Sequence, residues 1–137
     1  MLDELQTMPI RLGLLSNAAS EEIVTWPKSE LAPYFTDVIF SCEVGLKKPD
    51  PRIYHLACER LNVSVDEVWF VGDGGSDELR GAAAVGLAPH WASWFLDAWP
   101  ASKRSAELRE AAAQFPRFKT TAEFVATVRE ETGQRSS

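Results

Sequence analysis

The stretch "VWFVGDGGSDELRGAAAVG", residues 68–86, decides the fold. Four apolar residues, Val68 to Val71, run straight into Gly72-Asp73. A second acid follows at Asp77, after two more glycines, and then an alanine-rich run. A short apolar run stopped by glycine predicts a strand buried on both faces. The run after it predicts a helix, with Ser76 as its cap and Gly86 as its stop. Strands apolar on both faces belong to parallel sheets covered by helices. In such sheets the chemistry gathers at the carboxyl ends of the strands, where Asp73 stands.

Working outward, the same pattern recurs. "RLGLLSN" (11–17) is apolar and ends at Ser16-Asn17, and "DVIFSCEVG" (37–45) is β-branched and ends at glycine. Together with 67–72 and about 88–94, the segments 11–17 and 37–44 are predicted as parallel strands. Helices fill the gaps. Ser20 caps a helix from residue 21 that Pro27 interrupts. Pro51 opens a helix over 51–61 whose Ile53, Leu56, Ala57 and Leu61 share one face. "SKRSAELREAAAQF" (102–115) reads as an exposed helix, and Thr120 with Glu123 forms a capping box for the last one. Strands alternating with helices give an α/β, Rossmann-like fold with a parallel sheet between helical layers. The reading divides the chain into a lead-in over 1–10, an α/β core over 11–131 and a polar tail over 132–137.

Composition narrows the function classes. The chain has 137 residues, 45% of them apolar, enough for one domain with a real core. Fourteen basic and twenty acidic residues give a net charge of −6, which argues against a nucleic-acid binder. No apolar run is long enough to span a membrane, and the N-terminus lacks the pattern of a signal peptide. Cys42 and Cys58 form no metal-like cluster, so the expected setting is the reducing cytoplasm.

The opening stretch fits poorly with other glycine-rich sites. As a dinucleotide fingerprint it has Asp77 where the last glycine belongs, and Asp73 would repel a pyrophosphate. It lacks the alternating acids of a calcium loop and the Gly-Lys-Ser/Thr of a P-loop. An Asp-Gly turn explains Gly74 and Ser76 but not two carboxylates four residues apart. A magnesium and phosphate site explains more. Mg²⁺ takes carboxylate oxygens and keeps several waters. Asp73 would ligate it directly and Asp77 through a water. Lys48 would offset charge beside Asp73 and grip a phosphoryl oxygen, while Ser16 and Asn17 donate to the phosphoryl group. The four residues Ser16, Lys48, Asp73 and Asp77 are expected to converge at one edge, with Lys48 Nζ in direct or water-bridged contact with Asp73.

"LGLLSNA", "CEVGLKKPDPRIYHLACERLNV" and "VWFVGDGGSDELRGAAAVGL" together resemble the haloacid dehalogenase superfamily, in its phosphoglycolate phosphatase-like branch. The resemblance covers roughly residues 10 to 97. It places the family's second motif on Ser16, its third on Lys48 and its fourth on Asp73 and Asp77. It implies Mg²⁺ as cofactor, a small phosphorylated substrate, and ester hydrolysis through an aspartyl-phosphate. One departure stands out. The family's nucleophile lies in a D-x-D motif on a first, central strand. The aspartates here are residues 3, 37, 50, 66, 73, 77 and 97, with no two so spaced. The chain therefore reads as the C-terminal core of a phosphohydrolase, without nucleophile or cap and inactive in isolation. A non-catalytic binding or assembly protein is the alternative.

In the family the missing strand lies between those matching 11–17 and 67–72. Its absence predicts either that these two pair directly or that "MLDELQTM" or a second copy fills the gap, with self-association through open sheet edges. Trp91, Trp94 and Trp99 read as core and edge packing, with a protein interface as the alternative. His55 reads as surface or packing and His90 as lacking an acidic partner. Cys42 reads as a small buried hydrophobe.

Overall fold

In the computed structural model, the residues described are 1–17, 26–74, 77–94, 110 and 112–132. Helix α1 (Leu2–Gln6) leads into strand β1 (Gly13–Ser16). Two single turns of 3₁₀ helix, Trp26–Lys28 and Ala32–Tyr34, precede β2 (Asp37–Phe40), α2 (Ser41–Val44) and α3 (Pro51–Leu61). A third such turn, Val65–Glu67, opens into β3 (Trp69–Gly72), α4 (Glu78–Ala84), β4 (Ala88–Ala92), β5 (Arg117–Phe118) and α5 (Thr121–Glu131).

All the strand pairs are parallel, but they form two separate sheets. β1 pairs with β2, Ser16 standing opposite Phe40, while β3, β4 and β5 pair in that order. Among the described residues no ladder joins β1 to β3, so the direct pairing offered as one way to close the gap is not formed. The N-terminal segment does approach, but as helix α1 packed on a face. Its Leu5, with Met8 beyond it, is buried beside Phe124, Val125 and Val128 of α5. Glu4 of α1 meets Arg129 of α5 at 3.5 Å, and Tyr34 donates a hydrogen bond to Asp3.

The period-two geometry of β3 explains the layers. Trp69 and Val71 point to the core beneath α1 and α5, while Val68 and Phe70 point to a second core. That second core holds Ile39, Ile53, Tyr54, Cys58, Ala82 and Leu87. Successive side chains of a strand face opposite ways, so an apolar run demands cover on both sides. Ile53 and Tyr54 of α3 are fully buried, and the Tyr54 ring stands edge-on to Phe70 at 5.5 Å. The α3 contact thus ties the β1–β2 half to the β3–β5 half without a backbone ladder. In the first core His90 lies buried between Trp69, at 4.1 Å, and Phe118, at 5.4 Å, and its Nδ1 contacts the Ala88 carbonyl at 2.9 Å.

Local sequence explains most boundaries. Helix α3 keeps the predicted span: Asp50 caps it by accepting from the Arg52 amide, and Asn62 ends it in the left-handed region. Thr120 accepts from the Glu123 amide, as expected of a cap. The strand predicted over 37–44 is shorter. It stops at Phe40, and Ser41–Val44 turns helical, closed by Gly45 at φ 70°. A left-handed glycine accepts the helix end that an extended strand does not need. This turn also exposes Cys42, correcting its reading as a buried residue; Cys58 is the buried one. The strand predicted over 88–94 ends at Ala92. The caps assigned to Ser20 and Ser76, most of the helix over 102–115 and the tail from 133 lie outside the described residues.

Candidate active site at the carboxyl edge

Ser16 is the last residue of β1 and Asp73 follows the last residue of β3, so both stand at carboxyl ends. Lys48 lies between α2 and α3, in a loop with a cis Lys48–Pro49 bond. Asn17 fixes that loop from the other strand. Its Oδ1 accepts from the Lys48 amide at 2.9 Å and its Nδ2 donates to the Lys48 carbonyl at 3.2 Å. The Asn17 side chain, expected to meet a phosphoryl group, is instead engaged in holding the lysine backbone.

The Lys48 ammonium reaches into the structure and donates to Glu78 Oε1 at 2.8 Å. Both side chains are nearly out of solvent, at 12% and 6% exposure. Glu78 was not singled out in the sequence. One carboxylate in a helical run reads as solvated, and its partner lies thirty residues away. The available signal was its place next to Leu79 and four before Ala82, both on the buried face of α4. Glu78 Oε2 accepts from the Gly74 amide at 3.0 Å, and its backbone carbonyl accepts from the Tyr54 hydroxyl at 2.8 Å. A Cβ on Gly72 would collide with this carboxylate, which explains a glycine there. Gly74 has φ +95°, a conformation that strains any other residue.

Burial pushes the Glu78 carboxyl above its ordinary value. The Lys48 charge and hydrogen bond oppose that, Asp73 reinforces it, and the Gly74 amide lowers it. Asp73 therefore acts on the same carboxylate that Lys48 holds, and the basic group and the strand-tip acid share one neighbourhood. Burial, with the charges of Glu78 and Asp77, pushes the Tyr54 hydroxyl well up. Asp77 stands just before α4 at φ 52°, makes no side-chain cap, is half exposed, and faces Arg80 at 3.8 Å.

Lys48 is paired with Glu78 and Arg80 with Asp77. The ammonium keeps two further N–H donors for an oxyanion. Among the described residues no three His, Cys, Asp or Glu side chains come together as a metal cluster. Asp73 and Asp77 alone do not complete an Mg²⁺ shell, which demands near-octahedral oxygen ligation. A cavity of about 220 Å³ lies at the other end of β1 and β2, beside Leu12 and Thr36, and none of these residues line it.

Trp91 is buried, and its indole Nε1 donates to the Asp73 carbonyl at 3.1 Å. It belongs to the core, with Leu79 and Ala112. Trp94 is half-buried against Phe124, 6.0 Å between rings, and Trp99 lies outside the described residues.

Comparison with known proteins gives the family. A family model described as haloacid dehalogenase-like hydrolase matches residues 1–86. The chain is 34% identical over 94 residues to a phosphoserine phosphatase of Thermus thermophilus, covering 66% of this chain and 36% of that protein. It is 32% identical over 89 residues to a glyceraldehyde 3-phosphate phosphatase of Methanopyrus kandleri, covering 63% and 37% respectively. The chain thus spans little more than a third of the length of these relatives. In structure it is similar to a HAD phosphatase from Thermococcus onnurineus, with a TM-score of 0.69 over 96% of this chain and 54% of that one, at 23% identity. That likeness is one of fold.

Proposed function

The chain belongs to the haloacid dehalogenase-like hydrolases, and on that basis we propose that it supplies the carboxyl-edge half of a Mg²⁺-dependent phosphatase for a small phosphate ester. The observation that carries this reading is the buried Lys48–Glu78 pair at 2.8 Å, set beside the strand-tip Asp73 and braced by Asn17. A buried ion pair is costly to desolvate and is weak evidence for stability alone. Its position at the edge where α/β folds place their chemistry supports a functional role.

Each residue has a part in this reading. Lys48 offers its remaining N–H donors to a phosphoryl oxygen, and Glu78 keeps the ammonium aimed. Ser16 donates its hydroxyl from the end of β1. Asp73, with Asp77 through water, contributes part of the metal shell, and the rest falls to the family's D-x-D motif. Bound there, Mg²⁺ would neutralise phosphoryl charge. Transfer through an aspartyl intermediate requires a carboxylate in line with phosphorus, and no D-x-D pair is present in this sequence. The reading therefore makes the chain inactive by itself.

The test is hydrolysis of a generic aryl phosphate with Mg²⁺ in excess, comparing the chain with its Asp73→Asn variant. No turnover above background is expected from either. Turnover by the chain that the variant loses would show that a nucleophile is present, and would overturn the claim of inactivity.

A further inference from the structure

The peptide unit between Asp73 and Gly74 is gripped at both poles. Its carbonyl accepts from Trp91 Nε1 at 3.1 Å, and its N–H donates to Glu78 Oε2 at 3.0 Å. In a trans peptide the oxygen and hydrogen lie on opposite sides of a rigid plane. Partners from two elements, β4 and α4, therefore fix the rotation of that plane. The rotation sets ψ of Asp73 and φ of Gly74, and so the backbone path at the strand tip that carries Asp73.

Trp91 is well placed to act as a fixed strut. It is 4% exposed and packs with Leu79 and Ala112. The Arg117 guanidinium lies over its ring at 4.7 Å. Arg117 is held in turn, donating from Nε to Ser93 Oγ at 2.7 Å, while the Ser93 hydroxyl donates to the Phe118 carbonyl at 3.2 Å. A cation over an indole face is attracted to it and restrains the ring. The chain of contacts runs from β5 through Trp91 to the tip of β3.

We propose that Trp91 is a positioning residue: its indole N–H, opposite the Glu78 carboxylate, clamps the Asp73–Gly74 peptide and so fixes the backbone of the strand tip that carries the Asp73 carboxylate. What that carboxylate does rests on the phosphatase reading; the clamp does not.

Amide hydrogen exchange tests it without metal, substrate or turnover, so its outcome is independent of whether the chain is part of a phosphatase. Trp91→Phe keeps an aromatic ring and removes the donor, and Trp69→Phe serves as the packing control. With one hydrogen bond gone, Gly74 amide exchange should quicken about fivefold more than that of the β3–β4 ladder. In the control, Gly74 should change only in step with the ladder. The unaltered protein gives a second readout: the Trp91 indole N–H should exchange at least about tenfold more slowly than a free indole, as a buried bonded donor does. If Gly74 in Trp91→Phe quickens no more than the ladder, or if the Trp91 indole exchanges like a free one, the clamp does not exist.

Discussion

The two halves of the sheet hold their functional groups in different ways. In the β3–β4–β5 half, the tip at Asp73-Gly74 is built on backbone ladders and held by buried groups on both sides, Trp91 and Glu78. In the β1–β2 half, Lys48 sits on a loop whose backbone is held by one asparagine. The second half borrows its rigidity from the first, through Lys48–Glu78 and through Tyr54 of α3. Where no ladder crosses, side chains make the connection. The site's integrity thus rests on few residues, which makes the comparison easy to break.

The largest effect is expected at the α3 bridge. Tyr54 is fully buried, faces Phe70 and donates to the Glu78 carbonyl. Tyr54→Ala should lower unfolding free energy by about 3–5 kcal/mol, as for other buried aromatics, read from a denaturant midpoint at constant slope. Glu78→Ala comes next. Removing one partner leaves the Lys48 ammonium largely buried and unpaired, a loss of about 3 kcal/mol or more. The double replacement Lys48→Met with Glu78→Leu should recover most of that stability. If it is no more stable than Glu78→Ala, the cost lies elsewhere than in the unpaired charge.

A smaller effect separates the halves by pH. Burial among Trp69 and Phe118 holds the His90 imidazole below its ordinary 6.5, outweighing the raising effects of the Ala88 carbonyl and Glu131. The unfolded chain then binds the proton more readily. Stability from this group is complete above about 6.5 and is lost as pH falls below it toward the folded-state value. Thermal melts from about pH 7.5 down to about pH 5.5, about one unit to either side of the ordinary histidine value, should show this decline. His90→Phe should flatten it, and an unchanged slope would remove His90 as its source.

Much of this was legible in the sequence because it is local. The apolar runs behind β1 and β3, the Pro51 start of α3 and the Thr120 cap are each set by a few neighbouring residues. What stayed hidden is set by distant partners. Glu78 looks like any helical carboxylate until the fold brings Lys48 to it, and Trp91 looks like packing until its N–H meets Asp73. The two-residue β5 has too little sequence to announce itself. The turn of Ser41–Val44 kept a strand-like composition, with only Gly45 to mark where a helix closes.

The smallest effect concerns the edges. Among the described residues β1 has a ladder only with β2, and β3 only with β4, so each sheet keeps an edge without a ladder. Such edges recruit strands. Light scattering over rising concentration should show weak self-association, and a monodisperse monomer throughout would count against it.

The most direct test of the central claim supplies what the sequence lacks. The D-x-D-bearing N-terminal portion of a family phosphatase would be joined ahead of Met1, and aryl phosphate hydrolysis followed with Mg²⁺. The account predicts Mg²⁺-dependent turnover that falls by about a hundredfold or more in Lys48→Met and in Asp73→Asn, since each removes a charge at the reacting edge. A folded joined protein without turnover, or turnover indifferent to both substitutions, would contradict it.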